Sequence, residues 1–319
     1  MKRGQSSETV PTSPIGARSD QRGVLARRKR RRQIAIPYIF LSPFLILFAL
    51  FLILPPLYAF WISLFEERLV GGTVFVGADN YLRALQDGAF WEGIRRMAIF
   101  GVFQIPVMLG LALILALVLD SGVVWFRNLF RLGFFLPYAV PSVVAALIWG
   151  YLYGPTFGPF AQIARYLDVP PPPFLSESWM LASIANIVTW EFVGYNMIIL
   201  YAALQAIPAE LQDAGAVDGA KGWQIALYIK IPLIVPALLL TGVFSIIGTL
   251  QLFNEPSIME PLAPAVIVDN YTPNLYAYRL AFTNQAYNYS AAISFVLAAV
   301  VAVGSYIFML VTNRGRISS

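Results

Sequence analysis

The apolar residues of this chain gather in long runs separated by polar stretches. Six runs reach the roughly 20 mostly apolar residues that a membrane-spanning helix needs. They are Pro37–Ser63, Met97–Leu119, Phe134–Tyr153, Trp179–Ala203, Ile231–Phe253 and Ala291–Thr312. The pattern predicts an all-α polytopic membrane helix bundle with six transmembrane helices. Pro43, Pro55, Pro56, Pro106, Pro137, Pro141 and Pro236 fall in or at the ends of these runs. Proline is tolerated in a span where neighbouring helices re-satisfy the freed carbonyls, so the pattern favours a packed bundle over isolated anchors.

Composition agrees. The chain has 319 residues, 58% of them hydrophobic and 12% charged, against about 25% charged in soluble domains. It has no His and no Cys. That excludes disulfides, Cys/His metal sites, thiol catalysis and a Ser-His-Asp triad. No catalytic residue and no metal site is expected. The net charge of +5 does not point to nucleic acid, because ten of the 22 Lys and Arg lie before residue 33 and the rest are scattered.

Those basic residues orient the chain. The run Arg27–Arg32 abuts the first apolar run, and cytoplasmic flanks hold excess Lys and Arg. With the N-terminus inside, 16 Lys and Arg fall on the cytoplasmic side and 6 outside. Six spans then put the C-terminus inside too. Anionic-lipid or nucleic-acid binding is the alternative for the basic run. Residues 1–33 read as a disordered, uncleaved basic cytoplasmic tail, and residues 34–315 as the six-span domain. The outside loops are Phe65–Arg96, Gly154–Ser178 and Asn254–Ser290, and Val169–Phe174, "VPPPPF", is a stiff polyproline-like piece.

The cytoplasmic segment 204–231 is longer than the two to eight residues that usually join bundle helices. It reads as two short helices around a turn. Pro208 suits a first helical position, and Glu210 and Asp213 complement that helix's N-terminus. Asp218 is placed to cap the next helix, with Gly219 supplying the bend. Ala209, Ala214, Gly215, Ala216, Gly219 and Ala220 make a face with almost no side-chain bulk, open to close approach by another backbone. Trp223, Ile225, Leu227 and Ile229 give an apolar side that anchors on the bundle. Length and small residues together favour a docking element over a plain connection.

The stretch "DAGAVDGAKGWQIALYIKIP" (Asp213–Pro232) resembles the EAA loop of permease subunits of binding-protein-dependent ABC importers. Asp213, Ala214 and Gly215 match its first triplet, Asp218, Gly219 and Ala220 its second, and Ile229 and Pro232 its end. "IPAEL" (Ile207–Leu211) precedes it as in the family. Asp213 stands for Glu, Gly215 for Ala, and Ala226 where an aromatic is usual. "GADNYLRAL" (Gly77–Leu85), "RNLFRLGFFLPYAVPSVVAALIWGYLY" (Arg127–Tyr153) and "GYNMIILYAALQAIP" (Gly194–Pro208) extend the resemblance from about Tyr38 to Arg314. It is closest to sugar-importer permeases of the maltose and glycerol-3-phosphate type.

The resemblance implies a subunit in a bacterial or archaeal cytoplasmic membrane. Its partners would be a second homologous permease, two cytoplasmic ATPase subunits and an extracytoplasmic solute-binding protein, with the loop seated in an ATPase cleft. The chain has no Gly-Lys pair and so no P-loop. It would bind no cofactor itself, and ATP and Mg would belong to the ATPase.

Polar groups at membrane depth are expensive and mark a path, at about 2.5–3.5 kcal/mol for a charge at a span centre. Glu191 lies in the fourth run, with Trp190, Tyr195 and Asn196 beside it. Aromatic faces with hydrogen-bonding groups suit a sugar ring. In "GTLQLFNEP" (Gly248–Pro256), Gln251 and Asn254 are three apart, a spacing that places them on one helix face. The family's Phe-Asn element is matched here by Phe253 and Asn254. Tyr138 and Pro141, in "FLPYAVP", are placed to kink the third run toward the cavity, with packing the competing role for Tyr138. A non-sugar solute such as a polyamine or phosphorylated polyol stays open, as does a stand-alone secondary transporter, although no duplication of broken helices is visible.

Overall fold

The computed structural model describes residues 37–68 and 70–317, with side chains described through Thr312. The expected tail, 1–33, and the basic side chains of Arg314 and Arg316 lie outside the described residues. Five helices are long and apolar enough to cross a membrane, or six if one bent pair is a single span. Among the described residues the sheet is one two-stranded hairpin, so the all-α bundle holds.

Among the described residues, Pro37–Ala59 fall in one unit and Phe60 onward in a second. Helix α1, Pro37–Ser63, contains a π turn at Ala49–Ile53. Strands β1 (Phe65–Arg68) and β2 (Gly72–Phe75) pair antiparallel, with Phe65 opposite Phe75. Gly71 and Gly72 take the positive φ of the turn between them. Helix α2 (Asp79–Gln86) is held by buried Asn80, which donates to the carbonyls of Ser63 and Phe65, each at 2.8 Å.

Helix α3 runs over Gly88–Asp120, nine residues longer at its start than the apolar run Met97–Leu119. Asp87 causes the extension. Its Oδ1 accepts from the N–H groups of Ala89 at 3.0 Å and Phe90 at 3.3 Å, capping the first turn. Its Oδ2 accepts from the hydroxyls of Tyr276 at 2.8 Å and Tyr289 at 2.6 Å. Burial raises the Asp87 carboxyl, but these four donors outweigh it and hold the group below its ordinary 3.8. Tyr276 is pushed up to about 12, first by burial and then by Asp87.

Asp87→Ala removes a cap worth about 1 kcal/mol and two hydrogen bonds to a charged group at about 1.5–3 kcal/mol each. Thermal unfolding in detergent at pH 7 is expected to show the variant several degrees less stable. A carboxyl depressed in the folded state stabilises above its unfolded value and loses that contribution as pH falls through the folded one. The gap between wild type and variant therefore narrows below pH 3.8. A gap unchanged there would remove the charge from the explanation.

The third apolar run is not a straight span. Helix α4 (Arg127–Phe135), continued by the 3-10 turn Leu136–Ala139, meets α5 (Ser142–Leu152) at 95°. Pro137 and Pro141 break the continuity, and the extended Val140 between them turns the chain. Helix α6 (Pro159–Tyr166) precedes α7 (Glu177–Gln205), which packs along α3 over most of its length. The last turn of α4 sits directly on Gly194 of α7, where a Cβ would fall on the Phe134 carbonyl.

The loop helices follow. Helix α8 spans Ala209–Val217 and α9 spans Gly222–Ile225. The π segment Ala226–Lys230 leads without a gap into α10, Ile231–Leu250. Then come α11 (Asn254–Met259), α12 (Pro273–Phe282) and α13 (Tyr287–Ile317). At α12, Thr272 accepts from Leu275 N–H at 3.1 Å, with Pro273 in the first helical position.

Two apolar cores hold the bundle. One gathers Phe90, Met97 and Phe100 of α3, Met180, Ile184 and Ile187 of α7, Leu275 of α12 and Ile293 of α13. The other lies toward the loop end of the helices. It joins Ala112, Ala116 and Leu119 of α3, Met197, Leu200 and Leu204 of α7, and Ile234 of α10. A cavity lies between the levels of these two layers.

Candidate functional site

That cavity has a volume of about 620 Å³. Gln104 and Met108 come from α3, Phe192, Tyr195 and Asn196 from α7, and Phe244, Ser245 and Thr249 from α10. Tyr138 enters from the 3-10 turn, Ser142 from α5, Gln251 and Asn254 from the α10–α11 junction, Glu255 from α11 and Asn274 from α12. Tyr138, Tyr195, Asn196, Gln251 and Asn254, scattered across the sequence, thus meet around one space.

Local geometry explains why. The 3-10 turn that precedes the 95° bend packs on α7, where the Tyr138 ring stacks on Tyr195 with centroids 4.6 Å apart and planes 21° from parallel. Phe192 meets the same tyrosine edge-on at 5.8 Å. The result is a broad aromatic surface on one wall. Asn254 Nδ2 donates to Ser142 Oγ at 2.6 Å, tying the α10–α11 junction to α5. Asn196 Nδ2 donates to the Phe192 carbonyl at 3.0 Å. Gln104 is buried, with Nε2 donating to Thr189 Oγ1 at 3.4 Å. Its Oε1 meets no donor among the described residues.

Gln251 and Asn254 do not share a helix face. Helix α10 ends at Leu250, Phe253 has φ −141°, and Asn254 starts a new helix. Two groups from the α12 region take the carbonyls freed by the break. Asn274 Nδ2 donates to Gln251 O at 3.0 Å, and Thr272 Oγ1 to Leu252 O at 2.9 Å. Both residues still reach the cavity, by way of a broken helix.

Trp190 and Glu191 are not in the cavity wall. Trp190 turns to the other side of α7 and meets Trp149 edge-on at 5.9 Å. Glu191 is buried, as is Glu255 of α11, and its Oε2 meets no donor among the described residues. Of this pair only Glu255 borders the cavity. Gln104, Glu255 and Asn274 escaped the sequence reading. Gln104 had a visible signal, an amide inside an otherwise apolar run.

The 204–231 segment has the expected two-helix form. Glu210 lies in the first turn of α8. Glu210, Asp213, Ala214, Asp218 and Gly219 are exposed, while Gly215 and Ala220 are half-buried. Gly219 supplies the bend with φ +81°. Asp218 closes α8 and caps nothing further on. The α9 N-terminus is served instead by Gln224, whose Oε1 accepts from Lys221 N–H at 2.7 Å.

The anchoring side also differs from the sequence reading. Trp223 and Leu227 are exposed, and Ile225 and Ile229 turn inward. Residues two apart do not share a helix face, whereas residues four apart do. The two inward isoleucines press on Gly215, where a Cβ would lie 2.8 Å from Ile229 Cδ1 and 3.5 Å from Ile225 Cγ1. Ala226 is half-buried, and the bulk it lacks stands at Trp223 and Tyr228, both exposed.

Residues 108–314 match the family described as "Binding-protein-dependent transport system inner membrane component". The lactose transport system permease protein LacF of Rhizobium radiobacter is 31% identical, over 85% of this chain and 91% of that one. The arabinooligosaccharides transport system permease protein AraP of Bacillus subtilis is 29% identical, over 86% and 87%. A bacterial ABC transporter involved in the import of the acidic polysaccharide alginate shares the fold. Its chain aligns with a TM-score of 0.75 at 21% identity, over 91% of this chain and 99% of its own.

Proposed function

The chain belongs to the family of binding-protein-dependent transport system inner membrane components, and from that membership we propose that it forms half of the translocation path for a carbohydrate. It is the multi-pass membrane permease of an ABC importer and is not itself the ATPase. The solute arrives from an extracytoplasmic binding protein. A second homologous permease supplies the other half of the path, and two ATPase subunits drive it. The N- and C-termini and the 204–231 loop face the cytoplasm. In the loop, Glu210, Asp213, Ala214, Gly215, Asp218, Gly219 and Ala220 form the surface that meets the ATPase.

The cavity carries the carbohydrate reading. Its wall offers stacked aromatic rings, neutral hydrogen-bonding groups and one carboxyl group, Glu255, with no Lys or Arg among the described lining residues. A pyranose has apolar C–H faces for the rings and hydroxyl edges for Gln104, Asn196, Gln251 and Asn254. The sugars named in the relatives are lactose and arabinooligosaccharides, in keeping with an uncharged solute. The path consists of weak contacts that form and dissolve as the walls move. ATP-driven closure of the ATPase pair draws the loops together and opens the cavity outward, and hydrolysis resets it.

The test is a complex purified through this chain and reconstituted with its binding protein in proteoliposomes. The panel is lactose, arabinotriose, putrescine and glycerol 3-phosphate. ATP-dependent uptake of a sugar is expected. Tyr195→Ala is expected to lower it about tenfold, the loss of an aromatic contact worth about 0.5–1.5 kcal/mol together with its buried area. Uptake of putrescine alone would replace the carbohydrate with a cation.

A further inference from the structure

An acidic side chain at the C-terminal end of a helix faces unpaired carbonyls and is electrostatically misplaced. Asp120 is the last residue of α3, yet its side chain is only 5% exposed. Two donors account for it. Lys230 Nζ lies 2.5 Å from Oδ2, with the lysine side chain 12% exposed. Gln205 Nε2 lies 2.6 Å from Oδ1. Asp120 ends α3, Gln205 ends α7, and Lys230 is the last residue before α10.

These three helices share more than this contact. Immediately inward lies the apolar layer of Ala112, Ala116, Leu119, Met197, Leu200, Leu204 and Ile234, drawn from the same three helices. Beyond it the same helices line the cavity with Gln104, Met108, Tyr195, Asn196 and Thr249. Lys230 also closes the π segment Ala226–Lys230, which joins the loop to α10. π turns are rare, single-turn interruptions of α-helices, often found at functional sites. A push on the loop reaches that element first.

We propose that Asp120, Lys230 and Gln205 form a positioning clamp that passes displacement of the 204–231 loop into all three helices at once. The inference rests on the reading of that loop as the ATPase contact. Without the clamp, the π segment yields and only α10 follows the loop. With it, α3, α7 and α10 move as one body, and the cavity wall tilts intact. Apolar packing alone would hold the helix ends as firmly, since apolar replacement of a buried ion pair is often neutral or stabilising. An ion pair adds what packing lacks, a single register between the loop's exit and the end of α3.

The experiment uses the complete reconstituted transporter and reads uptake of the panel solute that the wild type imports, per ATP hydrolysed. A merely structural role lowers uptake and hydrolysis together, through the amount of assembled complex. A positioning role lowers their ratio. Asp120→Asn and Lys230→Gln are each expected to cut the ratio about tenfold. Asp120→Lys and Lys230→Asp cut it further, and their combination returns it to within threefold of wild type. Should the single reversals fail to assemble, the two neutral variants decide the matter. A wild-type ratio in Asp120→Asn, or no recovery in the double reversal when it assembles, overturns the clamp alone. A wild-type complex that hydrolyses ATP and imports none of the four solutes overturns the importer reading and the clamp with it.

Discussion

Gly194→Ala is expected to yield less than a tenth of the wild-type amount of folded, transporting protein. An added Cβ would fall on the Phe134 carbonyl and 2.9 Å from the Phe135 nitrogen. Both obstacles are backbone, so no side-chain rotation makes room. Overpacking a core by a methylene costs about 1–3 kcal/mol when side chains adjust, and here a whole helix corner has to move. That corner carries Tyr138, which stacks on Tyr195, the residue after Gly194. The substitution therefore strikes folding and the cavity wall together. Size-exclusion profiles in detergent and uptake in proteoliposomes measure the two effects. Gly110→Ala in α3, where a Cβ meets nothing within 4 Å, is the matched control. A Gly194→Ala protein that is monodisperse and fully active would mean that the corner slides freely on α7.

The loop substitutions are expected to separate insertion from transport. Gly219 has φ +81° and open space around it, so it is the backbone that resists a side chain there. Left-handed conformation costs an ordinary L-residue about 1–2 kcal/mol. Gly219→Leu relieves that cost by redirecting the chain between α8 and α9, which displaces the exposed face of α8. Asp213→Lys leaves the backbone alone and reverses the charge on that face. Both variants are expected to reach the membrane at wild-type level and to lose at least nine-tenths of uptake. Gly219→Asn, a residue that tolerates positive φ, is expected to keep most of it. Normal uptake by Gly219→Leu and Asp213→Lys would remove the loop from the coupling path.

The spans were legible because membrane burial demands long apolar runs, and nothing else in a chain looks like them. Their ends were less so. A single carboxylate, Asp87, starts α3 nine residues early, and no hydropathy average registers a cap. The break in the third run was visible as Pro137 and Pro141, but its 95° angle depends on what the corner packs against, Gly194. The cavity was half legible. Tyr138, Tyr195, Asn196, Gln251 and Asn254 stand out as polar or aromatic groups among apolar ones. Glu191 stands out equally and packs elsewhere, because expense at membrane depth marks a buried partner as readily as a path. Gln104 was legible as an amide inside an apolar run, whereas Asn274 joins through its hydrogen bond to the Gln251 carbonyl, a long-range fact with no local trace. In the loop, small residues and the bend were readable. The inward side was not, because Trp223 and Leu227 are as apolar as the isoleucines that press on Gly215.

The π segment changes the angular relation between the two ends of one continuous helix. A π turn holds one residue more than the α turn it replaces, and each α-helical residue advances the rotation by about 100°. Between Trp223 and Ile231 that extra residue sets the phase. It lets Trp223 and Tyr228 point outward while Ile225 and Ile229 point at Gly215 and Lys230 points at Asp120. The surface offered to a partner and the surface offered to the bundle are thereby indexed independently. Shortening the segment by one residue would turn the outward surface by roughly a quarter of a circle and leave every span where it is.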